Sequence, residues 1–509
     1  MTLMLPMQMK FKQGLPDVVG NIDYKKFKNQ LERISEIISL SGIDETIMQY
    51  VINEKISEIK KDLADPKEVA RLNYKEQIRL QQTAVKALRC VIAKNLLSES
   101  YREFSVHLAD SSLLQRFCQL DTFGQIKVPS KSVLQRYEQM FPEDKLREII
   151  CKLNIAASIK PQEESDQRLD LENAVSLNDY YIDSTCVKSN IHFPTDWVLL
   201  RDAVRTLMLA TGWIRRHGLK NRMEEPKEFI TQINRLSIQM THSRYKKDSK
   251  KEQKSVLRLM KKLTKKVSHH AMKHREQLES HWQELGLKRG FVEQTLLRID
   301  NVLNQLPDAI KQAHDRIIGE RQTKSKDKIL SLYEPDVHVL VRGKAGAIVE
   351  FGNTLVLGEQ ADGLILDWKL FKEQAPGDAK LLPESLERIK KYYGGYQPEQ
   401  VTTDRGFYSK KNQKYLEQEG IAENMCPRSV VQLMERITET EFCRHQKRRG
   451  QTEGRIGILK NCFLGRPMRH KGFASREIGV AWSILAHNLW VIADLPKAVK
   501  QEEQYQKAA

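Results

Sequence analysis

Residues 180–190 read YYIDSTCVKSN, and this stretch decides the fold. Its aromatic and β-branched residues favour a β-strand, because such side chains pack well on a pleated surface. Asp183 stands in the middle of the run, although aspartate is depleted in strands and costly to bury without a partner. Asp183 therefore marks either a strand end or turn, or a buried carboxylate that binds something.

The composition favours a folded protein with a polyanionic partner. The chain has 509 residues, of which 40% are hydrophobic and 29% charged, and its formal net charge is +18. At about 100–200 residues per domain, this length predicts several domains with sizeable cores. The positive charge makes nucleic acid the leading candidate partner, although a basic enzyme without such a partner also fits.

Other classes of protein are excluded by simple patterns. No run of about 18 apolar residues occurs, so we expect no membrane partner. The N-terminal MTLMLPMQMKFKQG lacks a basic segment before its short apolar run, so we expect no secretory signal. The seven cysteines are scattered without a CxxC pair, which argues against a disulfide framework or a structural zinc site and fits a cytoplasmic location.

Helical periodicity dominates the sequence before residue 150. Within it, Ser130 is a candidate N-cap for a short helix, with Lys131, Gln135 and Arg136 on its outer side. This helix and the one before it fit a helix-turn-helix, and they fit a plain helical bundle equally well.

A second helical block spans residues 197–332 and is strongly basic. Residues 241–280 contain thirteen Lys or Arg against four Asp or Glu. A helical apolar stripe runs through this part of the chain, comprising Val256, Leu259, Met260, Leu263 and Val267. The pattern predicts an amphipathic helix whose lysines either contact DNA phosphates or form an ordinary solvated face.

Strand patterns return after residue 333. AIVEFGNTLVLGEQADGLILDWKLF (347–371) predicts two strands joined by a tight turn at Asp362-Gly363. A helix ending at Gly394-Gly395 follows, then a short strand running into a loop at Asp404, another short strand and a final helical region. Without the basic block the order is β-β-β-α-β-β-α, in which Asp183 and Asp404 occupy strand positions that can be neighbours in one sheet.

A third carboxylate lies in the final helical region. Arg449 precedes Glu453 by four residues and Lys460 follows it by seven, so the three share one helical face. Alone, such a face is usually an ion-pair stripe of little energetic value. Together with two strand-end aspartates, it indicates a site for divalent cations that activate oxygens in phosphoryl transfer, with the two basic residues neutralising phosphate charge.

These residues carry a family resemblance. The chain resembles bacterial insertion-sequence transposases of the DDE type in YYIDSTCVKSNIHFPTD (180–196), TTDRGFYSKKN (402–412) and RRGQTEGRIGILK (448–460). Looser similarities are VEFGNTLVLGEQ, ILAHNLW and the N-terminal SYREFSVHLADSSLLQRF. One branch of the family has a Tyr-Arg-Glu-Lys signature, whose Arg, Glu and Lys match Arg449, Glu453 and Lys460, whereas Gln446 stands at the Tyr position.

The resemblance implies an α/β fold: an RNase H-like mixed five-stranded sheet flanked by helices. Residues 174–196 and 333–495 would form this catalytic core, and residues 197–332 a helical basic insertion within it. Residues 1–150 would form an all-helical N-terminal DNA-binding region, and residues 496–509 a polar tail.

The resemblance also implies an activity. Asp183, Asp404 and Glu453 would bind two Mg²⁺ ions, for which Mn²⁺ can substitute, and the enzyme would cut transposon ends and join the 3′ hydroxyl to target DNA. Its partners would be double-stranded DNA and further copies of itself, as a homodimer or larger assembly on DNA in the bacterial nucleoid. DNA-phosphate contacts are expected from a set of basic residues: Arg449, Lys460, Arg405, Lys261, Lys262, Lys265 and Lys266. The alternatives are a non-catalytic, domesticated DNA-binding relative and a structure-specific nuclease.

Overall fold

The protein combines helices and strands in an α/β fold. The computed structural model describes residues 18–62, 72–120, 125–160, 168–243, 245, 247–344 and 347–498. Within these ranges there are sixteen α-helices and one mixed, open sheet of six strands. No helix in the described part of the chain is both long enough and apolar enough to cross a membrane.

Seven helices precede the sheet: α1 (Ile22–Leu40), α2 (Ile43–Asp62), α3 (Tyr74–Leu96), α4 (Tyr101–Asp110), α5 (Ser112–Phe117), α6 (Lys131–Glu138) and α7 (Glu143–Ser158). Helix α4 begins at a capping box in which Ser100 and Glu103 satisfy each other's backbone N–H groups. Ser130 occupies the N-cap position of α6 as expected, but its side chain makes no capping bond, and Lys131, Gln135 and Arg136 are exposed. Residues 121–124, between the two candidate helix-turn-helix elements, lie outside the described residues.

The six strands are β1 (Asp179–Lys188), β2 (His338–Lys344), β3 (Ala347–Glu359), β4 (Ile365–Leu370), β5 (Gln400–Thr403) and β6 (Ala422–Met425). Their order is β2-β3-β1-β5-β6, and β4 also pairs with β3. Strands β1, β2 and β4 are antiparallel to β3, whereas β1, β5 and β6 are parallel to one another. Gly363 adopts a left-handed conformation (φ +99°) in the turn before β4, where the Asp362-Gly363 turn was expected.

The expected count of five strands is wrong by one. The missed strand is β2. It pairs with the first half of β3, residues 347–352, whereas β1 and β4 pair with the second half of β3. The expected element order also omitted a helix between β5 and β6. These strands are parallel, so a crossover must connect them, and α13 (Lys410–Gln418) lies in that connection.

The remaining helices of the sheet region are α12 (Asp378–Tyr392), α14 (Val430–Arg436), α15 (Thr440–Ile458) and α16 (Phe473–Asp494). A π-helical segment, Leu459–Leu464, continues α15 without a break. Helix α16 packs against α3 and α7, and the apolar cluster of the sheet is continuous with that of the N-terminal helices. The N-terminal helices and the sheet therefore share one hydrophobic core.

The block between β1 and β2 forms a helical bundle with an apolar core of its own. Its elements are α8 (Asp196–Arg216), α9 (Pro226–Ser243), α10 (Ser249–His281), α11 (Arg289–Ala313), a π-helical turn at His314–Ile318 and a 3₁₀ turn at Ser325–Asp327. The expected stripe of α10 is nearly right: Val256, Met260 and Val267 are buried. Leu259 is instead 52% exposed, and Leu257 is buried, because the apolar face is rotated relative to the expected one.

Candidate functional site

Asp183 and Asp404 are brought together by the pairing of β1 with β5. Tyr181 lies opposite Thr402 in this parallel register. Both aspartates lie two residues further along, so the same register places them side by side at the carboxyl end of β5. Neighbouring strands are about 4.8 Å apart. The two carboxylates predicted from sequence therefore lie near each other, and the charge of Asp404 acts on Asp183.

The ionised form of Asp183 is destabilised by its surroundings. Its Oδ1 accepts a hydrogen bond of 2.7 Å from the Ser184 N–H. Burial is the main cause that raises its pKa from 3.8 to about 6; the Ser184 N–H and Arg449 lower the pKa, while the charges of Asp404 and Glu453 raise it further. The charges of the other two carboxylates thus affect the pKa of Asp183. Its ionised form would be stabilised by additional positive charge nearby.

The loop after β5 is held in a fixed shape. Asp404 Oδ1 accepts the Gly406 N–H at 2.9 Å, and Arg428 donates to the carbonyl oxygens of Arg405 and Gly406, each at 3.1 Å. A Cβ on Gly406 would lie 2.7 Å from Asp378 Oδ2 and 3.1 Å from Asp404 Oδ1. A side chain here would therefore displace the Asp378 carboxylate and crowd that of Asp404.

Helix α15 is fastened to the same strand ends by Gln446. Its Nε2 donates to Thr403 O at 3.1 Å and to Asn424 O at 2.6 Å, which joins the ends of β5 and β6. Its Oε1 accepts a bond of 3.2 Å from Arg449 Nε. Gln446 thus links the residue before Asp404 to an arginine of the candidate site.

Glu453 and Lys460 extend this face of the helix. Glu453 is exposed, with no hydrogen bond or ion pair among the described residues, so the alternative interpretation of this face as an ion-pair stripe is not supported by a pair with Arg449. Lys460 lies in the π-helical segment, and its Nζ donates to Thr185 Oγ1 at 3.0 Å. Thr185 is two residues beyond Asp183, so Lys460 reaches β1 on the side of the carboxylates.

The opposite face of α15 is bound to the end of β3. Arg448 donates to Glu359 Oε1 at 3.1 Å, to Gln360 O at 2.9 Å and to Ala361 O at 2.7 Å. Thr452 Oγ1 donates to the same Glu359 Oε1 at 2.7 Å. Because these two residues immediately precede Arg449 and Glu453, the buried bonds fix the orientation of the candidate site residues.

The donor set fits magnesium in its chemistry. Asp183, Asp404 and Glu453 offer only carboxylate oxygens, which a hard cation prefers, and Mg²⁺ needs few of them because water and phosphate oxygens complete its shell. Among the described residues, no three Asp, Glu, His or Cys side chains gather closely enough to ligate one ion as they stand. The geometry therefore offers a pair of neighbouring aspartates with a glutamate on the adjoining helix, rather than a closed cage.

The basic residues expected to contact DNA fall into two groups. Arg405 is exposed beside Asp404, and Lys262 and Lys265 are exposed on α10. Lys261 is half-buried, with its Nζ 3.0 Å from His314 Nδ1. Since that lysine has an internal contact, it is a weaker candidate for DNA than its exposed neighbours.

Lys266 also makes contacts within the bundle. It forms an ion pair with Glu224, and its Nζ lies 5.3 Å from the centre of the Phe229 ring. Lys262 and Lys265 have no such contacts among the described residues. Of the four lysines predicted from sequence, these two therefore present free charge to solvent.

Sequence reasoning assigned no role to Gln446 or Arg448. A signal for Gln446 existed, since it occupies the tyrosine position of the resembled signature. Arg448 gave no signal, because its partners Glu359, Gln360 and Ala361 are nearly ninety residues away in sequence. Such long-range partners cannot be read from helical periodicity.

Comparison with known proteins does not assign the chain to a family. No family model matches it, and neither a curated protein nor a solved structure does. The functional conclusion therefore depends on the site residues and their geometry.

Proposed function

We propose that this chain is a DDE-type transposase that cuts DNA ends and joins the freed 3′ hydroxyl to target DNA by metal-dependent phosphoryl transfer. The observation that supports the proposal is the parallel pairing of β1 with β5, whose register runs toward Asp183 and Asp404, together with the effect of the Asp404 charge on Asp183. The presence of Glu453 in the electrostatic surroundings of Asp183 adds the third carboxylate.

The sheet topology supports an RNase H-like core. Strands β1, β3 and β4 follow one another with antiparallel pairing, and β5 and β6 then extend the sheet in parallel with β1. Five of the six strands, taken in the order β4-β3-β1-β5-β6, are compatible with the five-stranded sheet that the resemblance implies. Strand β2 is an addition at the edge formed by β3, where the chain returns from the helical insertion.

The site residues have distinct roles in this proposal. Asp183, Asp404 and Glu453 would hold two Mg²⁺ ions, which when bound would activate the attacking oxygen and stabilise the leaving oxygen. Arg449 is held by Gln446 and would bind a non-bridging phosphate oxygen near the cut. Lys460 would do the same from the side of β1.

DNA is the partner that the charge distribution supports. The chain carries a formal net charge of +18, and the exposed Lys262 and Lys265 lie on the insertion rather than in the site. Contacts from these lysines would be independent of DNA sequence and sensitive to salt. The paired transposon ends would be held by two or more copies of the chain.

Cleavage of a plasmid that carries the flanking ends of the encoding element tests the proposal. With Mg²⁺ we expect nicks at the ends followed by joined products, and with EDTA neither. Nicks without joined products under any condition would select the structure-specific nuclease instead. Tight binding of the ends without cutting in Mg²⁺ or Mn²⁺ would select the non-catalytic DNA-binding protein.

A further inference from the structure

A cavity of about 370 Å³ lies between the N-terminal helices and the connection from α15 to α16. Helices α3, α4 and α6 form one wall, and residues 463–471 form the other. This volume is about twelve times the volume that one molecule occupies in liquid water. The cavity can therefore hold a small organic ligand. Its lining includes Lys94, Tyr101, Lys131, Phe463, Arg469 and Lys471.

The floor of the cavity is a buried ion network centred on Glu138. This carboxylate is 2% exposed and accepts bonds from Lys94 Nζ at 2.9 Å, from His470 Nε2 at 2.8 Å and from the Tyr101 hydroxyl. Burial would raise the pKa of Glu138, but Lys94 and His470 outweigh burial and hold it well below its usual range. The charge of Lys94 is therefore already matched, and the network makes this wall rigid.

The rim of the cavity carries surplus positive charge. Lys131 and Lys471 are exposed and have no acidic partner among the described residues. Arg469 contacts Glu103 at 3.3 Å, but both side chains are more than half exposed, so this ion pair is weak. The lining acid Glu99 contacts His107 at 2.9 Å. Two lysines from different elements, α6 and the α15–α16 connection, thus line one opening without an ion pair of their own, and Glu99 is the nearby lining acid.

The second wall has an apolar part that belongs to the same segment as a candidate site residue. Phe463 and Leu464 line the cavity and belong to the π-helical segment that also carries Lys460. Phe463 follows Lys460 by three residues, less than one turn of this segment. A DNA strand bound by Lys460 can therefore reach the cavity within the length of a nucleotide or two.

We propose that this cavity binds a nucleotide phosphate ester. Lys131 and Lys471 would bind the phosphate, and the sugar or base would lie against Phe463 and the ring of Tyr101. A DNA strand is the source of such a group if the chain is a transposase, and a free nucleotide is the other source. The site is separate from the three carboxylates, so it does not require that they be catalytic.

Binding measurements in EDTA, where no cleavage occurs, test this site. The probes are a labelled 20-base-pair duplex, followed by fluorescence anisotropy, and dAMP, followed by calorimetry. For the double variant Lys131→Gln/Lys471→Gln we expect at least tenfold weaker binding of the probe that uses the cavity. For the duplex, the slope of the logarithm of the binding constant against the logarithm of the salt concentration should be shallower by about 2. The matched control, Lys25→Gln/Lys26→Gln on the exposed side of α1, removes the same charge and should change affinity less than twofold.

A second pair of variants separates the cavity from general charge. Gln135→Trp places a large side chain at the exposed rim without altering charge and should weaken binding at least fivefold, whereas Gln135→Ala should not. A loss for the duplex alone identifies a DNA strand as the ligand, and a loss for dAMP identifies a free nucleotide. Equal effects of the two lysine pairs on both probes, or full binding by Gln135→Trp, would overturn the proposal. Asp404→Asn should bind both probes normally, so failure of this site is distinct from failure of the catalytic proposal.

Discussion

The sheet region and the helical insertion differ in how far their ion-paired carboxylates are buried. In the sheet region, Asp367 is 1% exposed and contacts Arg147 of α7 at 3.0 Å and Arg388 of α12 at 2.7 Å. In the insertion, Glu320 also contacts two basic residues, Lys250 at 3.0 Å and Lys254 at 2.9 Å, but it is about half exposed. Similar ion-pair patterns therefore occur in very different surroundings.

Buried ion pairs hold side chains in one geometry, whereas exposed ion pairs only contribute to the electrostatic potential of the surface. A buried charge is costly unless it is paired, so its partners must stay in place. An exposed ion pair contributes little and does not constrain the side chains. We therefore assign precise roles to Asp183, Gln446 and Arg449, and only a general electrostatic role to the lysines of α10.

The largest expected difference is in stability. Asp367→Ala leaves two arginines without their buried partner, so we expect the free energy of unfolding to fall by about 3–5 kcal/mol. Urea denaturation followed by circular dichroism measures this loss. The control Glu320→Ala should have no measurable effect, and an equal loss in both variants would remove the distinction between the two regions.

The next largest expected effect is that of Gln446→Ala on the rate of DNA cleavage. Gln446→Ala removes the link between Thr403 and Arg449, and we expect single-turnover cleavage to slow by about 10²-fold, because small misplacements of catalytic groups are that costly. DNA affinity should change less than twofold, which a general folding defect would not allow. Gln451→Ala, on an exposed position of the same helix, should cleave normally. Normal cleavage by Gln446→Ala would mean that Arg449 is positioned by other contacts.

A smaller effect concerns the pH dependence of stability without metal. The folded-state pKa of Asp183 is about 6 and its ordinary value is 3.8, so protonation stabilises the fold. This stabilisation is complete below pH 3.8 and is lost as the pH rises through 6. In EDTA, Asp183→Asn should therefore be more stable than the wild type, and its advantage should grow by about 1 kcal/mol between pH 5 and pH 8.

The matched substitution for this experiment is Asp308→Asn, at an exposed position of the insertion. It should show the same pH dependence as the wild type. A pH-independent difference between Asp183→Asn and the wild type would show that burial and the neighbouring carboxylates do not raise the pKa of Asp183.

The smallest expected effect is that of the insertion lysines. Lys262→Gln/Lys265→Gln should weaken duplex binding by about two- to fivefold at moderate salt, with no effect on the free energy of unfolding. Fluorescence anisotropy at several salt concentrations measures this, with Lys25→Gln/Lys26→Gln as the control for net charge. No difference between the two pairs would mean that this face of α10 does not contact DNA.

Local sequence patterns predicted much of the core of the fold. Strand β1, the β3–β4 hairpin with its glycine turn, helix α12, and the short strands β5 and β6 were all expected from alternation, turn residues and helix ends. Strand β2 and the crossover helix α13 were not. The helix is required by the parallel pairing of β5 with β6, which local patterns do not encode. Strand β2 pairs with the adjacent β3 and was not recognised from its own short pattern.

The site was predictable to a similar extent. Asp183 and Asp404 were selected as candidates because carboxylates are unusual at expected strand positions, and Glu453 because of its basic neighbours; Asp404 follows the last residue of β5. The bonds of Gln446 and Arg448 could not be found, since each joins α15 to strand ends at least twenty residues away. The common core of the sheet and the N-terminal helices was likewise invisible to periodicity, which describes one helix at a time.

The central claim is that Asp183, Asp404 and Glu453 form one metal-dependent cleavage site. Single-turnover cleavage of end-containing DNA in Mg²⁺, by Asp183→Asn, Asp404→Asn and Glu453→Gln, tests it most directly. Each variant should lose more than about 10³-fold in rate while keeping DNA affinity within twofold, because each removes a ligand charge but not a DNA contact. Glu441→Gln, an exposed glutamate at the other end of α15, should cleave normally. Cleavage within tenfold of the wild type by any of the three variants, or a parallel loss of DNA binding, would contradict the claim.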